Sequence, residues 1–277
     1  MSAQQPETVV AATRDYYDGT ADTLYREIWG ENIHMGRFAA PDEDLPTAMA
    51  RTNRDMAAGV GLVPEHYVLD VGCGYGGTAR YLAREHQCRV LATNISWKEL
   101  EYGRQLTHEQ GLDHRVHFDW ADFHDLQYAP ATFDFYWSQE AFLHAADKRR
   151  VLGEAHRVLK PGGRLGFSEL VVRRGTPEAP RQRIYDRVGA PEMWDTPDYE
   201  AALTEAGFRL VTREDWSEHV APSYDWVRRE LERRRAELEP RVGRAVVERT
   251  AEALAFWVAA ARAGTIGWVY AVADRPA

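Results

Sequence analysis

Cysteine is almost missing from this sequence. The two present, Cys73 and Cys88, make neither a disulfide framework nor a paired zinc pattern, so no metal is expected and the reducing cytoplasm is the expected location. Long apolar runs are missing too. No stretch of about 18 apolar residues and no basic-then-apolar leader occurs, so no membrane partner is expected. Positive charge is in deficit: 34 Lys and Arg stand against 43 Asp and Glu, a formal charge of −9. A general nucleic-acid or anionic-membrane binder needs the opposite sign. Repeats, low-complexity tracts and linkers are also missing, which leaves 277 residues as one large domain or one domain with helical additions. With 44% hydrophobic residues and nine tryptophans a sizeable core is affordable, and chemistry on a small-molecule substrate is the easiest fit.

What is present is organised around Val68-Leu69-Asp70-Val71-Gly72-Cys73-Gly74-Tyr75-Gly76-Gly77. It reads as a buried strand ending beside an acid, a tight turn and, from Thr78, a helix start. Glycines let a backbone approach a ligand where any Cβ would collide. Two chemistries share this spacing. Gly72, Gly74 and Gly77 match the dinucleotide fingerprint that sets a pyrophosphate on a helix N-terminus, whereas Asp70-x-Gly72-x-Gly74-x-Gly76 resembles the first motif of the class I methyltransferases. The loop alone leaves both open.

Before it, an aromatic-rich helix is expected from about Glu7 to Trp29, then an irregular loop, Trp29 to Phe38, that crowds His34, Asn32, Glu31 and Arg37 among large rings. Such a loop is a better functional candidate than the helix. A helix from Asp44 to Ala58 leads into the first strand. The second strand, Cys88 to Thr93, stops at Asn94-Ile95-Ser96, where a ribose-binding side chain is expected. Asn94 offers an amide that both donates and accepts. After a helix from Trp97 to about Gln110, the strand Val116 to Trp120 closes on Ala121-Asp122-Phe123. Class I methyltransferases commonly carry an acid and an apolar or aromatic neighbour here, for the adenine amine and ring, and this pair resolves the ambiguity of the loop.

The fourth strand, Thr132 to Trp137, runs into Ser138-Gln139-Glu140-Ala141-Phe142-Leu143-His144. Ligands of open α/β sheets bind beyond the carboxyl ends of the strands, so this heptad is expected to face the reacting methyl group. A helix from Lys148 to Leu159 is followed by Lys160-Pro161-Gly162-Gly163, read as a turn, and by the strand Arg164 to Val172 with Glu169 near its end. Prolines then punctuate a segment with one or two helical turns at Arg181 to Arg187. A helix at Tyr199 to Glu205, a strand at Phe208 to Asp215, one or two long helices from Ser223 to about Arg262 and a strand at Gly267 to Val272 complete the pattern. The arginines of that helical stretch alternate with glutamates, with Glu230 to Arg234 and Glu237 to Arg241 at i, i+4 spacing, as on a solvated face. The expected fold is α/β: a Rossmann-like, seven-stranded, mostly parallel sheet with helices on both faces. Residues 1–62 form an N-terminal helical cap, 63–172 the cofactor-binding core, and 173–277 a substrate-side insertion with C-terminal helices and closing strands.

With these landmarks the chain resembles a class I S-adenosylmethionine-dependent methyltransferase. It is similar more narrowly to the sarcosine/dimethylglycine N-methyltransferases of glycine betaine synthesis, through Asp15-Tyr16-Tyr17-Asp18, Trp29-Gly30-Glu31-Asn32-Ile33-His34, the glycine loop, Asn94-Ile95-Ser96 and Trp137 to His144. The resemblance implies S-adenosylmethionine held by Asp70, Gly72, Gly74, Gly76, Asn94, Ile95, Asp122, Phe123 and Trp137, with Asn94 in place of the ribose acid being usual in that group. It implies methyl transfer to the amine of a methylated glycine. Rings such as Tyr17, Trp29 and Trp137 would steady the growing cation, His34 would lie with the substrate, Arg37, Arg183 or Arg187 would take its carboxylate, and Gln139 and His144 would orient the nucleophile. Members usually have Asp where this chain has Glu140, and the segment Arg183 to Trp194 also departs. A second reading is therefore methyl transfer to carbon or oxygen of a larger metabolite, such as a prenyl diphosphate or phenol, with Glu140 or Glu169 as base. A third is a cofactor-binding regulator without turnover.

Overall fold

A computed structural model of the protein describes residues 6–18, 24 and 27–277, and the side chains of 7–15, 24 and 27–277. Helix α1 (Pro6–Asp18) covers the first part of the expected aromatic helix, and residues 24 and 27–28 are again helical; the remainder of that expected helix lies outside the described residues. Helix α2 (Leu45–Val60) starts at Asp44, whose carboxylate accepts the Thr47 N–H at 2.8 Å, and stops at Gly61 in the left-handed conformation. Then come β1 (Tyr67–Val71), α3 (Gly77–His86), β2 (Arg89–Asn94), α4 (Trp97–Glu109), β3 (Val116–Trp120) and β4 (Phe133–Gln139). The second half holds α5 (Lys148–Val158), β5 (Leu159–Val172), α6 (Glu178–Val188), α7 (Thr196–Glu205), β6 (Arg209–Asp215), α8 (Val220–Arg233), α9 (Arg235–Val242), α10 (Arg244–Arg262) and β7 (Ile266–Asp274).

The seven strands form one sheet in the order β3-β2-β1-β4-β5-β7-β6, parallel except for β7, which runs antiparallel to both neighbours. Both faces are covered, as the near-continuous burial along β1, β4 and β7 shows. The pleat sorts the side chains. Val68, Trp137 and Trp268 pack with α2, α8 and α10 on one face, while Leu69, Tyr136 and Phe167 pack with α5 and α7 on the other. Strand order reverses between β1 and β4, so a crevice must open at their carboxyl ends.

Three expectations need correction. Lys160-Pro161-Gly162-Gly163 is no turn but the entry to β5: Leu159 pairs with Phe133, the register then shifts, and Gly162 takes a φ of 78°. Glycine there lets the strand bulge instead of reverse. The segment at 181–187 belongs to an eleven-residue helix, and 223–262 is three helices, with Pro240 and the left-handed Gly243 (φ 88°) before the last. On that surface Glu230 pairs with Arg233 at 2.5 Å rather than with Arg234, which turns to Glu27 and Glu237 at 2.6 Å each. Glu237 does reach Arg241, at 3.8 Å. No helix among the described residues is long and apolar enough to cross a membrane.

Candidate active site

A cleft lies at the carboxyl ends of β1, β2 and β4, the place where open α/β sheets bind their ligands. Its floor is the glycine loop. Gly72 has a φ of 66°, and a Cβ on it would sit 2.4 Å from the Ala141 Cβ; one on Gly77 would meet the Asn32 Oδ1 at 2.4 Å. Bare backbone is the only chain that fits there. Asp70, Gly72, Gly74, Asn94, Ile95, Asp122 and Phe123 all line the cleft. Gly76 and Trp137 do not. Gly76 turns its open side to the Phe118 ring, 2.5 Å from where a Cβ would be, and Trp137 is fully buried in the sheet, donating its indole N–H to Gln139 Oε1 at 3.0 Å.

Burial sets the charges. Asp70 is 3% exposed and its Oδ2 has no hydrogen-bond partner, so the carboxyl is pushed up to about 8. Asp122 behaves oppositely: burial acts to raise it, but the His124 N–H (2.9 Å) and ring Nδ1–H (2.6 Å) bonds to Oδ1 hold it below the ordinary carboxylate value. His124 is itself fixed, since its Nε2 accepts the Asp147 N–H at 3.4 Å. Asn94 is committed to its neighbours. Its Oδ1 accepts the Ser96 N–H at 3.1 Å and its Nδ2 donates to Glu99 Oε2 at 2.6 Å. Glu99, only 2% exposed, lines the cleft. Sequence reading missed it because Ser96-x-x-Glu99 has the form of a helix capping box. Ser96 Oγ does cap the Glu99 N–H at 3.1 Å, but the Glu99 carboxylate is buried against Asn94, and a buried acid in the first turn is the signal.

At the end of β4 the residues diverge in character. Gln139 lines the cleft as a cross-link: its Oε1 accepts from Thr78 Oγ1 (2.7 Å) and Trp137, and its Nε2 donates to Asn53 Oδ1 (3.1 Å). Glu140 has a φ of 47°, a left-handed backbone that costs a non-glycine residue on the order of 1–3 kcal/mol. Its Oε1 accepts from Ser168 Oγ (2.6 Å) and Trp268 Nε1 (2.7 Å), its Oε2 from the Met35 N–H (2.9 Å). Burial outweighs these bonds and pushes Glu140 up to about 6. His144, lining the cleft, is driven down to about 3 by burial and by Lys148, and is neutral at any physiological pH. Glu169 does not line the cleft. It is fully buried, accepts the Leu143 (3.0 Å) and Leu170 (2.9 Å) N–H groups, and is pushed up by burial and by Glu140; sealed away from the cleft, it is no base for a ligand there.

The loop Glu31-Asn32-Ile33-His34 forms the roof. Arg80, 1% exposed, reaches Glu31 Oε2 at 2.7 Å and pins the roof to α3. His34 is 3% exposed and held down to about 4 by burial. Its Nδ1 lies 3.0 Å from the Met35 carbonyl, which can only accept, so the proton sits on Nδ1 and Nε2, without a partner, is an acceptor. Thr13 of α1 also lines the cleft with an unpartnered Oγ1. The other expected substrate residues lie elsewhere. Trp29 packs edge-on to Tyr224 at 6.1 Å. Arg37 pairs with Asp55 at 2.5 Å over the Trp216 ring (4.5 Å). Arg183 covers Phe256 at 4.0 Å, and Arg187, on the same helix, is outside the lining. The side chain of Tyr17 lies outside the described residues.

Five carboxylates, Glu31, Asp70, Glu99, Asp122 and Glu140, line the cleft, and no Lys or Arg among the described residues does. No cluster of His, Cys, Asp and Glu among those residues is placed to hold a metal. The set fits a cationic nucleoside amino acid: the lone Oδ2 of Asp70 wants a cation, the glycine loop admits nothing wider than backbone, and Asp122 with Phe123 offers an acceptor and a ring.

Comparison with known proteins agrees. Residues 69–167 match the family model of a methyltransferase domain. The sarcosine/dimethylglycine N-methyltransferase of Halorhodospira halochloris is 39% identical over 271 residues, 97% of each chain. The dimethylglycine N-methyltransferase of Parasynechococcus marenigrum (strain WH8102) is 36% identical, covering 94% of this chain and 93% of the relative. A crystal structure assigned as a sarcosine dimethylglycine methyltransferase from Galdieria sulphuraria superposes with a TM-score of 0.88 at 28% identity, over 94% of this chain and 98% of that one.

Proposed function

Because the chain belongs to the sarcosine/dimethylglycine N-methyltransferase family of S-adenosylmethionine-dependent enzymes, we propose that its own acceptor is the amine of a methylated glycine, sarcosine or dimethylglycine. Bound S-adenosylmethionine supplies an electrophilic sulfonium methyl. Holding a nucleophile in line with such a carbon is worth on the order of 7 to 11 kcal/mol in favourable cases, and the residues here are suited to holding. Asp70 Oδ2 would receive the cofactor's ammonium, Glu99 backed by Asn94 the ribose hydroxyls, Asp122 Oδ2 the adenine amine, and Phe123 the ring face.

The observation that carries the nitrogen reading is the acid-lined cleft with Glu140 in its lining. An amine arrives neutral and leaves cationic, so a fixed anion favours the transition state over the ground state. A carboxylate has about four acceptor sites; three are filled by Ser168, Trp268 and Met35, which leaves one for the ligand. Neutral His34 and His144 add acceptors without competing charge. The substrate carboxylate would take the Thr13 hydroxyl, an uncharged donor on the lining whose Oγ1 lacks a partner among the described residues.

Glu140, pushed up to about 6, also favours a second reading. A carbon nucleophile must shed a proton after transfer, and a carboxylate of that basicity is a competent acceptor. Labelled S-adenosylmethionine offered with sarcosine, dimethylglycine, phenols and prenyl diphosphates separates the two. Label on the glycine derivatives supports the proposal; label only on a phenol or prenyl carbon overturns it.

A further inference from the structure

We propose that Glu140 is a positioning residue that latches the roof of the cleft, holding the His34-Met35 peptide down so that His34 Nε2 faces the ligand. The proposal uses the cleft as the ligand site but is independent of which atom is methylated.

The roof has three anchorages. At one end Arg80 holds Glu31 at 2.7 Å. At the other, the Gly36 N–H donates to Ser223 Oγ of α8 (3.2 Å) and the Arg37 N–H to the Ala48 carbonyl of α2 (3.1 Å). The middle is tied to the sheet through the Met35 N–H to Glu140 Oε2, at 2.9 Å. That tie fixes the plane of the His34-Met35 peptide. The Met35 carbonyl, which belongs to the next peptide, accepts from His34 Nδ1 and Thr52 Oγ1 at 3.0 Å each, so Met35 is held at both its N–H and its carbonyl, and the His34 ring is bonded to the second.

Glu140 suits this task in three respects. It follows β4 directly, and its left-handed backbone (φ 47°) turns the side chain out of the strand's alternation. Its other oxygen is fixed by Ser168 of β5 and Trp268 of β7, so the latch is mounted on three strands at once. All three partners are donors, and only an acceptor-only group satisfies them together. An amide in the same place must point an N–H at one of them. An aspartate, one methylene shorter, keeps the charge but falls short of the roof while its oxygens stay with Ser168 and Trp268.

The test uses the full, ligand-free chain. Hydrogen exchange is followed over peptides spanning 31–38 in the wild type, Glu140→Gln and Glu140→Asp, with β1 and α5 as internal references, and S-adenosylhomocysteine affinity is measured by calorimetry. Loss of a charge-assisted hydrogen bond of this kind corresponds to roughly tenfold or more in opening. Expected is exchange about tenfold faster over 31–38 in both variants, references unchanged, with S-adenosylhomocysteine bound about tenfold more weakly. A role confined to proton transfer or substrate charge leaves ligand-free exchange untouched. Unchanged exchange over 31–38 in either folded variant overturns the latch, as does failure of both variants to fold, which would make Glu140 a core strut. The identity of the methyl acceptor is read separately by label transfer, so either claim can fail alone.

Discussion

Replacing Asp70 by Asn should make the ligand-free protein gain stability relative to the wild type as pH rises, while its hold on ligand falls. Burial without a partner for Oδ2 lifts this carboxyl from an ordinary 3.8 to about 8. A value raised in the folded state means that the proton favours folding. Stability from this group is therefore full below about pH 4 and is lost as pH climbs to about 8. At about 1.36 kcal/mol per pKa unit, the loss between pH 5 and pH 8 is on the order of 3 to 4 kcal/mol. Asn has the same shape and no charge, so it removes that slope, though its unpaired N–H groups cost about 1 to 3 kcal/mol at every pH. Urea denaturation of both ligand-free proteins at pH 5 and pH 8 should find the variant no better at pH 5 and more stable at pH 8. Ligand binding gives an independent reading. At pH 7 roughly nine-tenths of the Asp70 side chains carry a proton, which an incoming ammonium must expel. S-adenosylhomocysteine calorimetry in two buffers of different ionisation enthalpy should then show release of nearly one proton from the wild type and none from the variant, with affinity at least tenfold lower in the variant. A stability difference identical at both pH values, or binding heats independent of buffer, would refute the assignment of Asp70 as a buried acid waiting for a cation.

Glu99→Gln should weaken S-adenosylhomocysteine binding by about ten- to a hundredfold, roughly 1.4 to 2.7 kcal/mol, with little change in melting temperature; unchanged affinity in a titration would leave the ribose to Asn94 alone. Gly72→Ala should abolish measurable cofactor binding and destabilise the fold by on the order of 1–3 kcal/mol, because the new methyl meets Ala141 at 2.4 Å from a left-handed backbone. Arg37→Ala, in contrast, should leave the KM for the amine unchanged, since the guanidinium is committed to Asp55 and Trp216; a tenfold rise in KM would return Arg37 to the substrate.

The part of the cleft built by Asp70, Gly72, Asn94 and Asp122 was legible in the sequence because these residues sit at the ends of consecutive parallel strands, where spacing along the chain fixes place in space. Asp70, Gly72, Asn94 and Asp122 each follow or close a strand, and each lines the cleft. What failed depended on direction and depth. Glu169 was in the right stretch but on the wrong phase of the pleat: Ser168 reaches Glu140 whereas Glu169, next in line, points away. Trp137 shares its phase with Asp70 and Gln139 but lies two residues deeper in β4, covered by the Gln139 side chain it bonds. The arginines failed for another reason. Arg37 and Arg183 took an acid and rings brought near by the tertiary fold, from elements remote in sequence, and a cation's partner cannot be read from its own neighbours. The expectation of one or two helices at 223–262 missed a break because apolar spacing continues across Gly243, with Leu238, Val242 and Val246 four residues apart and packed on the same core.

The placing of β7 has a consequence for how the molecule comes into being. Residues 266–274 follow every other strand in sequence, yet they slot between β5 and β6. While the chain emerges from a ribosome, both neighbours present raw hydrogen-bonding edges with nothing to fill them. Trp268 travels with the late strand, so Glu140 lacks its indole donor until that insertion, and this tie forms in the same event that joins β6 to the rest of the sheet.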